Sequence, residues 1–219
     1  MRSRMLASAV ALALAACGGG GGGGGGGGPT GPVSGTVGGT AFTPAEGGAL
    51  VVPPTDCTVT GTGTVHVSGL IIGFGSFTGL CAYAQAAHFC DEKASATLIG
   101  LQLMKGGLVQ AQAPVGPGTY PITTAAPVPD ASGNFGVNGG SVTVTGAACT
   151  PSTTSDAASG SITIAAVDST RVQGNLSVGF GAGNSIAGAF DLPLCAYTPD
   201  ICALLNGTTC GGGSPGCIP

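Results

Sequence analysis

Cysteine is the residue type in this chain that could do the widest range of chemistry, and the chain contains nine cysteines. A thiol can form a disulfide, act as a nucleophile or bind a metal ion. Eight of the nine form an even set, which predicts up to four disulfides in an oxidising compartment and leaves their pairing open. These eight are Cys57, Cys81, Cys90, Cys149, Cys195, Cys202, Cys210 and Cys217. The ninth, Cys17, stands apart near the N-terminus and needs another explanation.

The two histidines offer weaker chemistry. His88 lies near Cys90, Asp91 and Glu92, but this spacing matches no zinc-binding pattern, and disulfides already account for the cysteines. We therefore predict no metal site and no cofactor. The other histidine, His66, alternates with apolar neighbours and is predicted to lie on the exposed face of a strand.

A catalytic set cannot be assembled from the sequence. Ser185 misses the G-x-S-x-G elbow by one residue, and both histidines precede it, the wrong order for an α/β-hydrolase. The glycine-rich stretch 73–79 lacks the lysine and the following helix of a phosphate-binding loop, so it is predicted to form turns or bulges. Acidic residues are scattered, with Asp130, Asp156 and Asp168 at predicted turns. We predict that the protein is not an enzyme and has no catalytic residues.

The first 16 residues have the pattern of an export signal, in which basic residues precede an apolar run of about 12 residues. A helix needs roughly 20 apolar residues to cross a bilayer. The run ends in Leu14-Ala15-Ala16-Cys17, which resembles the lipobox of bacterial prolipoproteins. The resemblance implies cleavage before Cys17, a diacylglycerol on its thiol and an acyl chain such as palmitate on its new amine. The alternative is an ordinary secretory signal with an incidental cysteine.

Residues 18–28, directly after Cys17, are all glycine, and the sequence Pro29-Thr30-Gly31-Pro32 follows them. Glycine has no side chain to bury and the largest backbone entropy to lose, so residues 17–32 are predicted to form a lipidated tether. Such a chain spans roughly 20 Å r.m.s. and reaches about 50 Å when fully stretched. Glycine rather than aspartate after Cys17 resembles the sorting signal of outer-membrane lipoproteins. This resemblance implies that the protein is located in the cell envelope, at the outer membrane, on its periplasmic or surface face.

Charged residues are scarce, at 6% of the sequence. After removal of the signal only Lys93, Lys105 and Arg171 are positive, which excludes nucleic acid as a partner because phosphate binding needs a basic face. A protein or glycan ligand stays open. High hydrophobicity argues against disorder, and the residues beyond the tether suffice for one domain with a core.

Alternation of apolar and polar residues predicts antiparallel strands with one buried face. The clearest unit is an antiparallel meander of strands at 162–166, 172–180 and 186–192, with a turn at 181–184. The same alternation recurs around residues 65–67, 99–103 and 141–145. Residues 81–93 contain helix formers without Gly or Pro and are predicted to include a short helix.

The short strands and the lack of a βαβ rhythm predict an all-β domain at 33–194, an antiparallel sandwich or a barrel-like fold. Residues 195–219 have too little apolar surface to fold alone, so disulfides must hold this tail to the domain. The path from residue 33 to Cys195 resembles uncharacterised all-β envelope lipoproteins of bacteria. That resemblance implies the fold and is silent on activity.

These patterns together predict a protein held to membrane lipid through Cys17 and acting as a binding or structural surface module. Two alternatives stay open on the same scaffold. Two acids converging in a cleft would favour a carboxylate-dependent hydrolase. A large apolar cavity would favour a carrier of a small ligand.

Overall fold

The computed structural model describes residues 31–87, 91–125, 128–181, 183–206 and 216–218. The predicted signal peptide, Cys17 and the glycine run fall outside these ranges, as do His88, Cys90 and Cys210. The predicted boundary between a β domain at 33–194 and a tail at 195–219 stays a prediction.

Strands make up most of this part of the chain. In chain order they are β1 (Ser34–Val37), β2 (Thr40–Phe42), β3 (Glu46–Val59), β4 (Gly63–Gly75), β5 (Glu92–Lys93), β6 (Thr97–Gly107), β7 (Gly118–Pro121), β8 (Asn134–Thr145), β9 (Pro151–Asp156), β10 (Ser159–Val167), β11 (Arg171–Gly179), β12 (Ser185–Pro193) and β13 (Cys217–Ile218). Two helices accompany them, α1 (Leu80–Ala87) and α2 (Ile201–Leu205).

The long strands form two antiparallel sheets. One sheet has the order β2-β1-β12-β11-β10-β7 and the other has the order β3-β4-β6-β8-β9. A short parallel pair, β5 with β13, is separate from both. The predicted all-β antiparallel fold is therefore confirmed. Because the two sheets are separate and neither closes on itself, the architecture is a sandwich, which settles the choice between sandwich and barrel.

The space between the sheets is filled by one hydrophobic core. Strands β10, β11 and β12 form the predicted meander and contribute side chains that alternate inward, among them Ile162, Ile164, Val172, Leu176 and Ile186. The facing sheet contributes Leu70, Ile72, Phe74, Ile99, Leu101, Leu103 and Val142. The inward side chains of the two sheets therefore pack against each other in one shared core.

The turn between β11 and β12 is confirmed at 181–184, and it has a second role. Gly181 and Gly183 adopt the positive φ angles that the turn requires, at 75° and 78°. Asn184 is buried, and its side-chain oxygen accepts a hydrogen bond of 2.8 Å from the Gly38 N–H in the β1–β2 turn. This single amide therefore connects two hairpins at one end of the sandwich.

The prediction that each strand buries only one face is wrong for β4. Leu70 and Ile72 point into the core between the sheets, whereas Val65 and Val67 lie in a second cluster on the opposite face. Helix α2 covers this second cluster, and its Ile201 and Leu204 are buried there. The reason is tertiary: the outer face of the five-stranded sheet is covered at this point by the C-terminal part of the chain.

Helix α1 confirms the predicted helix within 81–93, although it is shorter. Both carboxylate oxygens of Glu46 accept hydrogen bonds at its start, from the N–H groups of Gly79 at 2.7 Å and Leu80 at 3.0 Å. The prediction of turns at 73–79 is correct only for its second half, because Gly73, Phe74 and Gly75 belong to β4. They extend the hydrogen-bonded ladder with β3 and β6.

Candidate functional site

Six of the eight predicted disulfide cysteines are paired. The bonds are Cys57–Cys202, Cys81–Cys195 and Cys149–Cys217, with Cα atoms 5.1, 5.2 and 5.5 Å apart. Each bond joins a cysteine of the β domain to one in the C-terminal segment after Pro193. The predicted disulfide bonding is thus confirmed for these six cysteines, and they are committed to structure and not to thiol chemistry.

His66 is less exposed than predicted. Only 20% of its side chain is exposed, and its Nδ1 lies 2.6 Å from Oδ1 of Asp56 on the neighbouring strand β3. The prediction of an exposed position is wrong in this respect, because the partner carboxylate and the end of the sheet cover most of the ring. In the described ranges, no three or more His, Cys, Asp or Glu residues are placed so that they could hold a metal ion.

An Asp–His pair also occurs in serine hydrolases, where the histidine activates a serine hydroxyl. Ser68 lies two residues after His66 on the same strand face, but it is fully buried. Its hydroxyl donates a 2.8 Å hydrogen bond to the carbonyl oxygen of Ala113. The serine therefore holds a loop in place, and the Asp56–His66 pair connects β3 to β4.

Two of the three predicted turn carboxylates, Asp168 and Asp130, stabilise turns, whereas Asp156 is the last residue of strand β9, where it pairs with Ser141 of β8. Asp168 accepts hydrogen bonds from Thr170 N–H at 2.7 Å and Arg171 N–H at 2.8 Å. Asp130 does the same with the N–H groups of Ser132 and Asn134. These bonds, above all those from the backbone of Thr170 and Asn134, hold the pKa values of Asp168 and Asp130 below the ordinary value. Both carboxylates are ionised at neutral pH and unsuited to act as general acids.

Other carboxylates have equally local partners. Asp191 accepts a 2.6 Å hydrogen bond from Arg171 Nε, which lowers the pKa of Asp191. Asp200 caps α2 through the N–H of Ala203, and Asp91 accepts from the N–H of Gly216 at 2.6 Å. With Glu46, Asp56, Asp130 and Asp168, seven of the nine acidic residues have such a role.

Tyr83 is a largely buried tyrosine whose pKa is raised. Burial raises the pKa of Tyr83 to about 12, and the charges of Glu92 and Asp91 add to the effect. Its hydroxyl donates a 2.7 Å hydrogen bond to the carbonyl oxygen of Asp91. The ring packs edge-to-face against Phe77, with the centroids 5.3 Å apart. These contacts join α1 to the segment that leads into β5.

We expect the folded protein to lose stability as the pH rises from about 10 to about 12. Tyr83 keeps its proton over this window when folded but loses it when unfolded, because its ordinary pKa is 10.0. An absorbance titration of phenolate should show a late step near pH 12. The Tyr83→Phe variant is the control and should lack this late step. A wild-type profile without a step above about pH 11, or a late step that persists in Tyr83→Phe, would contradict the assignment.

The most exposed apolar surface lies at one end of the sandwich, on two loops. One loop, 108–117, joins β6 to β7, and the other follows β7, with its residues 122–125 and 128–133 described. Among the described residues, the large hydrophobic side chains that face solvent are Leu108, Val109 and Val128, which are 42%, 76% and 83% exposed. We call the described residues of these two loops the apolar loop end.

Side chains from the sheets hold the first of these loops in place. In addition to Ser68, Lys105 Nζ donates to the carbonyl oxygen of Pro114 at 3.2 Å, and Tyr120 donates to that of Gly116 at 2.7 Å. Val115 is buried in the core between the sheets. The loop is therefore anchored along its length, and its first two residues project from a fixed base.

The second loop is shaped by the Asp130 turn and lies against the first. The Leu108 N–H donates a 3.0 Å hydrogen bond to the carbonyl oxygen of Gly133, which has a φ angle of +79°. An open depression runs between the loops, and its lining includes the apolar Leu108, Val109 and Pro129 together with the ionised Asp130. Such a surface, apolar and held by a rigid scaffold, is typical of a binding site.

The sequence prediction did not include this surface. The sequence does contain a signal for it, which is a long uncharged stretch. Residues 106–129, between Lys105 and Asp130, contain no charged residue and no histidine. Low charge is common along the whole chain, however, so this stretch does not stand out by composition. Only the fold shows which apolar residues lie in loops and which lie in the core.

No protein-family model, curated protein or solved structure matches this chain. Neither α1 nor α2, the helices of the described ranges, has the length and hydropathy of a membrane span.

Proposed function

We propose that this chain is a lipid-anchored envelope protein whose β sandwich is a non-enzymatic binding or structural surface module. The export pattern and the Leu14-Ala15-Ala16-Cys17 motif support the anchor and a location at the outer membrane. The glycine run supports a tether between the anchor and the sandwich. Pairing of six cysteines fits an oxidising compartment, which the envelope provides.

The observation that carries the binding role is the apolar loop end. Val109 and Val128 lie largely in water, and Leu108 is partly exposed, although burying them would be favourable at roughly 25 cal/mol per Å² of apolar area. Ordered loops that expose apolar side chains on a rigid scaffold are common sites of interaction. The acidic residues, in contrast, mostly cap helices, close turns or pair with a neighbour, which supports a role without catalysis.

The proposal can be tested with a photo-crosslinking amino acid in place of the exposed Gln110, in living cells. We expect crosslinks to an envelope component in the wild-type background and their loss in the double variant Val109→Asp, Val128→Asp. Because both valines are exposed, the double variant should change the free energy of unfolding by less than about 1 kcal/mol. Equal crosslinking in both backgrounds would reject the apolar loop end as the binding surface, and measured substrate turnover would reject the non-enzymatic role.

A further inference from the structure

We infer that the apolar loop end docks on the lipid bilayer in which the Cys17 anchor is embedded. The inference rests on the proposed function, since it requires the anchor, and it names the partner of the same surface. In this arrangement the protein contacts its membrane twice, through acyl chains at one end of the tether and through loop residues of the sandwich.

The chemistry of the loops fits the interfacial region of a bilayer better than it fits a charged partner. Between Lys105 and Asp130 the chain carries no charge, so Leu108, Val109 and Val128 have no charged neighbour within this stretch. Asp130 lies in the lining of the depression, but its carboxylate accepts hydrogen bonds from the N–H groups of Ser132 and Asn134, and these bonds keep it at the hydrated interface. Lys105, the basic residue beside the first loop, donates to the carbonyl oxygen of Pro114. We therefore expect docking without a preference for anionic lipids, which basic clusters would provide.

The position of the tether permits this contact. The described chain begins at Gly31, whose carbonyl oxygen accepts from Ala189 N–H, and Pro32 bridges to the same residue of β12 beside β1. Strand β7, which connects the two loops, lies four strands away from β1 in the same sheet. Four spacings amount to about 19 Å. Gly31 and Pro32 of the predicted tether are thus held on β12, and the thirteen residues 18–30 before them can stretch to roughly 45 Å, so the loops can reach the membrane while Cys17 stays in it.

The tether also makes a weak contact sufficient. Three exposed side chains bury little area, and alone they would bind a bilayer only weakly. A short flexible link converts the second contact into an intramolecular one with an effective concentration near the millimolar range. We therefore expect docking by the anchored protein and little binding by a form that lacks the lipid.

The test uses tryptophan, which the natural chain lacks. Val109→Trp places a fluorophore on the apolar loop end, and Ala41→Trp places one on exposed β2, at the other edge of the same sheet. The full lipidated protein is reconstituted into neutral phosphatidylcholine vesicles with and without brominated acyl chains. We expect bromine to quench the fluorescence of the Val109→Trp variant at least twofold more than that of the Ala41→Trp variant. Val128→Trp repeats the measurement if Val109→Trp does not fold.

Each outcome decides a different question. Equal quenching in both variants, or quenching in neither, in protein that floats with the vesicles would overturn the docking and favour a protein partner for the apolar loop end. Protein that does not float with vesicles at all would overturn the anchor, and with it the proposed function. Quenching that needs anionic lipid would contradict the charge argument.

Discussion

Replacing Cys57 and Cys202 together by serine is expected to release α2 and lower the free energy of unfolding by about 2–5 kcal/mol. The disulfide closes a loop of 145 residues, for which the chain-entropy model gives about 5 kcal/mol. Helix α2 has five residues, too few to persist without tertiary contacts. Its loss would expose the second cluster, including Val65 and Val67.

The same variant should also free the edge of β3. Asn206, directly after α2, donates from its side chain to the carbonyl oxygen of Thr58 at 2.9 Å and accepts from the N–H of Thr60 at 3.2 Å. These bonds occupy backbone groups that would otherwise be open to pairing with another chain. We therefore expect the variant to self-associate more strongly as well as to unfold more easily.

Chemical denaturation measures the stability, and binding of a hydrophobic dye reports the exposed cluster. The matched control is the pair Cys149→Ser and Cys217→Ser, which removes another disulfide of the C-terminal segment and leaves α2 in place. The control should lose stability without gaining dye binding under native conditions. Dye binding that rises equally in both variants would refute the specific role of the Cys57–Cys202 bond.

Replacing Cys17 by serine is expected to abolish lipidation and processing, so that the precursor accumulates with its signal attached. A hydroxyl cannot replace the thiol in forming the thioether to diacylglycerol. Mass spectrometry of the N-terminus and fractionation of the envelope measure the result. The wild-type protein should begin at an acylated Cys17 and partition with membranes.

Gly18→Ser is the matched control, because it introduces the same residue one position later and keeps the thiol. It should be processed and retained like the wild type. Normal maturation and membrane retention of Cys17→Ser would overturn the lipid anchor. Gly18→Asp adds a test of sorting, since the resemblance to sorting signals predicts a shift towards the inner membrane.

Much of the fold could be predicted from local patterns, because a strand with one buried face leaves a period of two in the sequence. The meander through β10, β11 and β12 is of this kind, and so is the glycine turn at 181–184. The predicted location also rests on local patterns, because the predicted export signal and the motif that resembles a lipobox are contiguous stretches of chain. These statements need no knowledge of what lies far away in sequence.

The tertiary structure decided everything that depends on residues meeting across the chain. It paired Cys57 with Cys202 and covered the outer face of β4, which made the prediction of one buried face wrong for that strand. It also buried most of the His66 side chain beside the carboxylate of Asp56. Such contacts span from 10 to 145 positions along the chain, and alternation of residue types carries no information about partners at these separations.

The candidate site shows the same division. The sequence by itself determined that residues 106–129 are uncharged, and it predicts a lipid anchor at Cys17. Only the fold decided that Val115 is buried while Val109 and Val128 project from loops at the same end of the sandwich. The physical reason is that a valine has the same sequence signature in a core and at a loop tip, and its role is set by the backbone that positions it.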